Sequence, residues 1–529
     1  MGTLERLIVD ARYVADIAGF LRKQISLDEA RSTVEHRLAT RAESFLYILE
    51  RGIYANPRSA YARLLAHAAI ELAELQRDVR ELGLEATLEK LYDAGVYLTS
   101  EEIKGRQLIR RGDLEFYATP ADFDNPLVRD THILNVSSGS TGQSIAVRTS
   151  LKSVASEAVD VLIGNVSQFG DRPMAYWGSL IIGLLWYTKA DRRPDKVFFT
   201  SRPPKTMQGL RQRFILQYTR FVSRLFGRPL PEIEIVPRDQ AVRIARWLAE
   251  MSARGTPAVM LGHSNPAVRI CLAAREHGLD ISGTLFIVYG EPFTPGKAAV
   301  LASVGATSRV QYSMSEVGGM VAISCANATE LDDAHVFTDK LALIQRERSV
   351  SADEPVGALI YTTVDPMAPR LLLNLDSGDY AAVTKRECSC LMGQLGLDTH
   401  LHHIRSYEKL TSEGNTFIGS RLYELVEEVL PARFGGGIND YQIVEEEQED
   451  GLSRVLILVS PRVGPVDEPA VITTVLETLE RSHEGGATMV DIWRQGRNLQ
   501  VVRQDPYETR TAKVLPLHVH RVTAVGRDH

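Results

Sequence analysis

Six consecutive residues, Ser137-Ser138-Gly139-Ser140-Thr141-Gly142, stand between two apolar runs, His132-Ile-Leu-Asn-Val136 and Ile145-Ala-Val147. Gly139 and Gly142 can adopt positive φ angles, so successive backbone N–H groups can turn toward one point. Ser137, Ser138, Ser140 and Thr141 add hydroxyl donors. Such a nest suits phosphate oxygens. It is not a Walker A loop, because no Lys follows the second Gly. Alone, the stretch is better explained as a Ser/Gly linker. Its shortness and its strand-like flanks speak for a loop that holds something. A second group of reactive types is sulfur. Cys388 and Cys390 form Cys-x-Cys in "RECSCLMG", and Cys325 is followed by His335 ten residues later. On spacing alone, three buried thiols and an unrelated His are the better reading. Cys271, in "VRICLAAREHG", reads as core. Four unevenly spaced cysteines do not suggest a disulfide framework.

The elements that must position these residues change along the chain. Residues 1–115 read as helical, because "SAYARLLAHAAIELAELQRDVRELGLEATLEKLYDAGV" is rich in Ala, Leu, Glu and Arg with apolar spacings of three and four. From about residue 130, short apolar runs such as "AVMLG", "GTLFIVYG" and "GALIYTTV" alternate with helical stretches. That alternation predicts an α/β domain with buried strands. After about residue 410, "SRLYELVEEVLP", "YQIVEEE", "RVLILVS" and "EPAVITTVLETLERS" predict a smaller α+β unit. At 529 residues the chain is too long for one ordinary core, and about two to four domains are expected.

Composition excludes several classes. Hydrophobic content of 44% and charged content of 24% are those of a globular protein. A net charge of −7 supplies no basic excess for nucleic acid. The run "MAYWGSLIIGLLWY" is too short to span a bilayer. Glu5, Arg6, Asp10 and Arg12 interrupt any signal-peptide core. A cytoplasmic protein without a membrane partner is expected.

Six motifs, in order, resemble those of the acyl-adenylate-forming enzymes, in the branch of phenylacetate–CoA ligases and coenzyme F390 synthetases. They are "SSGSTG" (137–142), "YGEPFT" (289–294), "QYSMSEVGG" (311–319), "LLNLDSGDY" (372–380), "HIRSYEKLTSEGN" (403–415) and "PYETRTAKVLPLH" (506–518). The resemblance implies the acyl-CoA synthetase-like α/β fold. In it a large N-terminal domain of mixed β-sheets with flanking helices carries a small mobile C-terminal α+β domain. The boundaries follow as a helical segment over 1–115, an ATP- and substrate-binding domain over 116–405, and the mobile domain over 406–529.

The resemblance also implies roles. Ser137 to Gly142 would hold ATP phosphates, with Ser138, Ser140 and Thr141 on the β and γ groups. Tyr312 would stack on adenine in a pocket lined by Gly290 and Glu291. Asp379 would accept the ribose hydroxyls, and Arg405 would touch ribose or phosphate. Glu316 would bind Mg²⁺ and Ser315 the α-phosphate. Lys513 would bridge the α-phosphate and the substrate carboxylate, where charge develops. Trp177, Tyr187, His263, Ser264, Asn265 and Tyr289 are placed by position at the substrate pocket, although packing or turns explain them as well. Cys325, His335, Cys388 and Cys390 would close a structural Zn²⁺ site. Taken singly, Asp379 could be a turn residue, Lys513 solvated and Tyr312 core. Ser144-Ile145, "NLDSGD", Tyr407 and Ala512 depart from the family's usual residues.

The implied reaction is adenylation of a small carboxylic acid by ATP, with pyrophosphate release. The acyl group then passes to CoA or to the phosphopantetheine of a carrier protein. Transfer to an amine, and a nucleotide-binding homologue without turnover, are the alternatives. A homodimer is a further expectation.

Overall fold

The computed structural model describes residues 3–128, 130–136, 146–178, 181–201, 207–349, 355–406, 409–412, 415–418, 424–437, 439–448, 451–481, 486–496, 499–507 and 517–519. Its centre is a 13-stranded sheet of two halves. One half runs Thr307–Met314, Leu285–Tyr289, Val259–His263, Met174–Gly178, Lys196–Phe199 and Ile233–Ile235, all parallel. The other half continues antiparallel from Thr307–Met314 through Gly319–Ile323, Ala334–Val336, Thr399–Ser406, Leu375–Lys385 and Pro355–Thr363 to Leu341–Ser349. Leu98–Thr99 adds parallel to Leu375–Lys385.

The parallel strands are apolar on both faces because helices cover both faces. Met174, Tyr176, Leu261 and Ile287 pack into one core. Their alternating neighbours Ala175, Trp177, Met260 and Phe286 pack into another. The two-residue period of a strand thus divides one sequence run between two cores. The antiparallel half is covered by N-terminal helices, whose Leu49, Leu65 and Leu88 bury against Leu359, Tyr361 and Leu373. Helix Leu27–Ala39 starts in a capping box. Ser26 Oγ accepts from Glu29 N at 3.2 Å, and Glu29 Oε2 accepts from Ser26 N at 2.9 Å. The helix then carries Arg37 to Asp160 and Asp339, at 3.2 and 3.1 Å.

Helices occupy residues 3–93, but Ile109–Arg111 and Leu114–Phe116 then pair as a hairpin. Toward the C-terminus, a four-stranded sheet of Leu499–Arg503, Ser453–Val459, Tyr441–Glu447 and Leu517–Val519 builds its own core around Tyr441, Ile457, Val475 and Trp493. It meets the large sheet's helices through Leu452, which is buried in the same core as Val268 and Leu301, and through polar contacts. Asn265 Nδ2 donates to Ser453 O at 3.4 Å, and Asn265 Oδ1 accepts from Ser453 N at 3.2 Å. Arg269 Nη2 donates to Gly496 O at 2.8 Å.

Candidate functional site

In an open parallel sheet, ligands collect at the carboxyl ends of the strands. Register brings His263, Tyr289 and Gln311 side by side at that edge. The rings of His263 and Tyr289 meet edge to face at 4.8 Å. Gly290 follows at φ +77, and a Cβ there would lie 2.5 Å from His263 Nδ1. The turn therefore needs glycine for its backbone and for its closeness to the imidazole. Tyr176, Tyr187 and Asn165 complete this wall, with Asn165 Nδ2 donating to Tyr187 Oη and to Gln311 Oε1, each at 2.9 Å. Burial raises the phenol pKa of Tyr289 well above its ordinary value.

Three residues placed with this wall by sequence sit elsewhere. Trp177 alternates onto the opposite face of the sheet, where it is fully buried and Nε1 donates to Val236 O at 3.1 Å. Ser264 and Asn265 are fully buried at the start of helix Ser264–Glu276. Ser264 Oγ donates to Glu291 Oε2 at 2.9 Å, and the same oxygen accepts from Asn265 N at 3.0 Å. The Glu291 carboxylate is thereby turned to the helix N-terminus, where negative charge is favoured. Lys297 Nζ lies 3.7 Å from it. The Glu291 side chain is fully buried.

The loop after Thr307–Met314 carries Ser315 and Glu316, whose side chains are joined by a 3.0 Å hydrogen bond from Ser315 Oγ to Glu316 Oε2. The chain must reverse at once into Gly319–Ile323. At Gly318, φ is +96 and a Cβ would lie 2.5 Å from Pro369. Glu157, on helix Leu151–Val161, holds the return from behind by accepting from Met320 N at 2.5 Å. Its other oxygen is 2.7 Å from Lys340 Nζ, and burial raises its pKa to about 7.

Tyr312 Oη donates to Asp379 Oδ2 at 2.7 Å, which joins the two strands expected to hold adenine and ribose. Burial first, then Asp379, raises the Tyr312 phenol pKa well above its usual value. Arg405 lies on the strand beside Asp379, where Asp379 pairs with Ser406 and Tyr380 with Arg405. Its Nη1 donates to Asp332 Oδ2 at 3.2 Å. Ser137, Ser138, Gly139, Ser140, Thr141, Gly142 and Lys513, with Tyr407 and Glu408, lie outside the described residues.

Two neighbours of this site were not singled out by sequence. Lys104, its side chain 5% exposed, places Nζ 3.8 Å from Glu316 Oε1. Glu157 supports the loop from a helix 163 positions away. Nothing local in "EEIKGR" or "SEAVDV" distinguishes them, because their partners are remote in sequence.

The sulfur group converges. The donor atoms of Cys325, His335, Cys388 and Cys390 all lie within 4.8 Å of one another. Cys325 Sγ is 3.7 Å from Cys388 Sγ, and Cys390 Sγ is 3.2 Å from His335 Nε2. A tetrahedral ion bound at zinc–sulfur distances would separate its sulfurs by about 3.8 Å. His335 Nδ1 is tied to Leu397 O at 2.7 Å, which aims Nε2 at the sulfurs. Asn327 N and Gly393 N donate to Cys325 and Cys390 sulfurs at 3.3 and 3.4 Å. A hydrogen bond from Cys325, then the pull of His335, lowers the Cys390 pKa to about 3.

No family model matches the chain, and no match was found among curated proteins. Solved structures do match. A 2-hydroxyisobutyryl-CoA ligase, in complex with 2-HIB-AMP and CoA in the thioesterification state, superposes over 95% of this chain and 92% of that one. The TM-score is 0.52 and the identity 15%. An amide bond synthetase from Marinactinospora thermotolerans aligns over 94% of this chain and 97% of that one, at 13% identity and a TM-score of 0.42, too low to add to the fold assignment. The chain has the acyl-CoA synthetase-like fold, a large α/β part followed by a smaller C-terminal one.

Proposed function

We propose that this protein adenylates a carboxylic acid with ATP, releases pyrophosphate, and transfers the acyl group from acyl-AMP to a thiol of CoA or of a carrier-protein phosphopantetheine. The observation that carries the reading is one edge of one sheet. There the Tyr312–Asp379 hydrogen bond, the Ser315–Glu316 loop and the His263–Tyr289 wall stand together. Shared fold with a CoA ligase supports it.

In this reading adenine lies against Tyr312, and Asp379 accepts the ribose hydroxyls beside Arg405. The Ser137–Gly142 loop cradles the β- and γ-phosphates. Glu316 fits a hard cation, which takes carboxylate oxygens. Mg²⁺ there would neutralise charge on the leaving pyrophosphate. Ser315 turns its one hydroxyl proton from the Glu316 carboxylate to the α-phosphate when ATP binds. The substrate acid enters along Tyr176, Tyr187, His263 and Tyr289, a wall of rings that each carry a polar atom. Its carboxylate oxygen attacks the α-phosphorus, and the bond to the β-phosphate oxygen breaks. Positioning and charge neutralisation supply most of the rate in such transfers. The unit over 406–529 brings Lys513 to the site for this step and moves away for the second. Pyrophosphate release over a panel of carboxylic acids, followed by product mass with CoA or amines, tests the reading. Amide products would reassign the acceptor, and no pyrophosphate with any acid would remove adenylation.

The phenylacetate–CoA ligase-like branch is favoured by the three-thiol, one-imidazole cluster. In this reading it holds a closed zinc site that ties the loop at Cys325 to the turn at Cys388. Elemental analysis is expected to find about one zinc per chain. Cys390→Ser loses it and lowers Tm, because a structural metal contributes to folding. Metal-free native protein with an unchanged Tm in the variant would exclude the site and leave adenylation untouched.

A further inference from the structure

Between Asp195 and Glu232 lie 36 residues with eight Lys or Arg and no acid, in a chain of net charge −7. Helix Met207–Leu225 fills the middle of this run. It lies beside helix Thr3–Arg22, running the same way. Arg211 pairs with Asp10, Tyr218 Oη donates to Val14 O at 3.1 Å, and Tyr13 Oη meets Thr219 Oγ1 at 2.7 Å. Val222 faces inward, in a core with Tyr13, Ile17 and Leu185.

The outward face is apolar too. Leu210, Phe214, Phe221 and Leu225 are 52%, 59%, 58% and 67% exposed. Spacings of four, seven and four put them on one stripe. Leu7 and Ile8 of the neighbouring helix, 60% and 45% exposed, lie within one turn of Asp10, the partner of Arg211. Arg213 and Arg224 lie along the same helix. Arg211 meets Asp10, Arg220 meets Glu232 and Arg228 meets Asp191. The formal charge of the run stays positive, since the run itself contains no acid.

We infer that this two-helix face docks on an anionic lipid bilayer, with the Met207–Leu225 helix lying in the interface plane. Phe214, Phe221, Leu210 and Leu225 enter the boundary between headgroups and acyl chains. The arginine stems run along the apolar surface and their guanidiniums reach lipid phosphates. The composition suits that role: a charged helix of modest hydrophobicity with Phe and Leu on one face. A second copy of the chain is a poorer occupant, since pairing this face with itself would set arginines against arginines. An acidic protein groove is poorer as well. The side chains are more than half exposed at four positions and project outward, which a fluid interface accommodates without a matching surface. Among the described residues no helix is long and apolar enough to cross a membrane, so the contact is peripheral. It revises the expectation of no membrane partner and does not rest on the adenylation reading.

The test is co-sedimentation of the full chain with vesicles of phosphatidylcholine alone, or mixed with phosphatidylglycerol. Binding to the mixed vesicles, weakened by salt, is the expected result. Phe214→Gln with Phe221→Gln lowers it by at least about tenfold, since the inserted apolar area is lost. Arg224→Gln weakens binding to mixed vesicles and flattens its salt dependence. Both variants keep the wild-type Tm, because the changed side chains are exposed. Should Phe214→Gln lower Tm, Leu225→Gln replaces it. Three outcomes overturn the inference: no sedimentation of the wild type with mixed vesicles, undiminished binding by the Phe variant, or retention on polyglutamate without vesicle binding.

Discussion

Glu316→Gln is expected to stop pyrophosphate release while the protein stays folded. The substitution keeps the side chain's volume and an oxygen that can accept from Ser315 Oγ. It removes one negative charge from a position 15% exposed, where that charge faces Lys104 Nζ at 3.8 Å. If the carboxylate holds Mg²⁺, its loss removes the ion that neutralises the leaving pyrophosphate. The rate falls by at least the roughly 10²–10³-fold typical of losing one preorganised electrostatic group. The measurement is pyrophosphate release against Mg²⁺ concentration, with circular dichroism and Tm as controls for the fold. Wild-type rate and wild-type Mg²⁺ dependence would remove Glu316 from the site. A lowered Tm with an unchanged rate would make the Ser315–Glu316–Lys104 contact structural.

The second large effect separates the two half-reactions. Lys513→Ala is expected to cripple acyl-AMP formation by roughly 10²–10³-fold and to spare thioester formation from synthetic acyl-AMP. The reason is that one site presents two faces to successive substrates, with a mobile part closing differently for each. In the proposed reading Lys513 meets the α-phosphate and carboxylate oxygens only while charge builds there. Once acyl-AMP exists, that contact has no further work. Single-turnover assays of each step, begun from acid plus ATP or from acyl-AMP plus CoA, make the comparison. Equal loss in both steps would mean that Lys513 supports the fold or that the parts do not alternate. No loss in either would point to another cation or to a protein without turnover.

The α/β class was legible because buried parallel strands are unbroken apolar runs such as "AVMLG", recognisable without any partner. The motif order was legible too, since order is a property of the chain. So was the glycine pair in "SEVGG", which the structure explains by a reversal pressed against Pro369 and Glu157. The basic run over 196–231 was present in the sequence but hidden by a net charge that averages over the whole chain. Its meaning depends on which side of the helix faces out, and Val222 and Phe221, adjacent in sequence, face opposite ways.

By itself, then, the sequence determined the class of fold, the order in which site residues arrive, and the absence of a long apolar span. Only the tertiary structure decided which of them meet. Trp177 was expected with His263 at the substrate pocket, but it pairs with Gly262, so the pleat sends it and His263 to opposite faces. Nothing in "YGEPFT" shows that the Glu291 carboxylate meets the N-terminus of helix Ser264–Glu276 and lies near Lys297. Cys325 and Cys390 are 65 residues apart, and by spacing alone they read as unrelated thiols. The strand pairing Ala334 with Leu401 and His335 with His400 brings their segments together. A local pattern records whether a residue is buried and with what period. Register and crossover connections determine its remote neighbours, and those follow from packing the whole sheet at once.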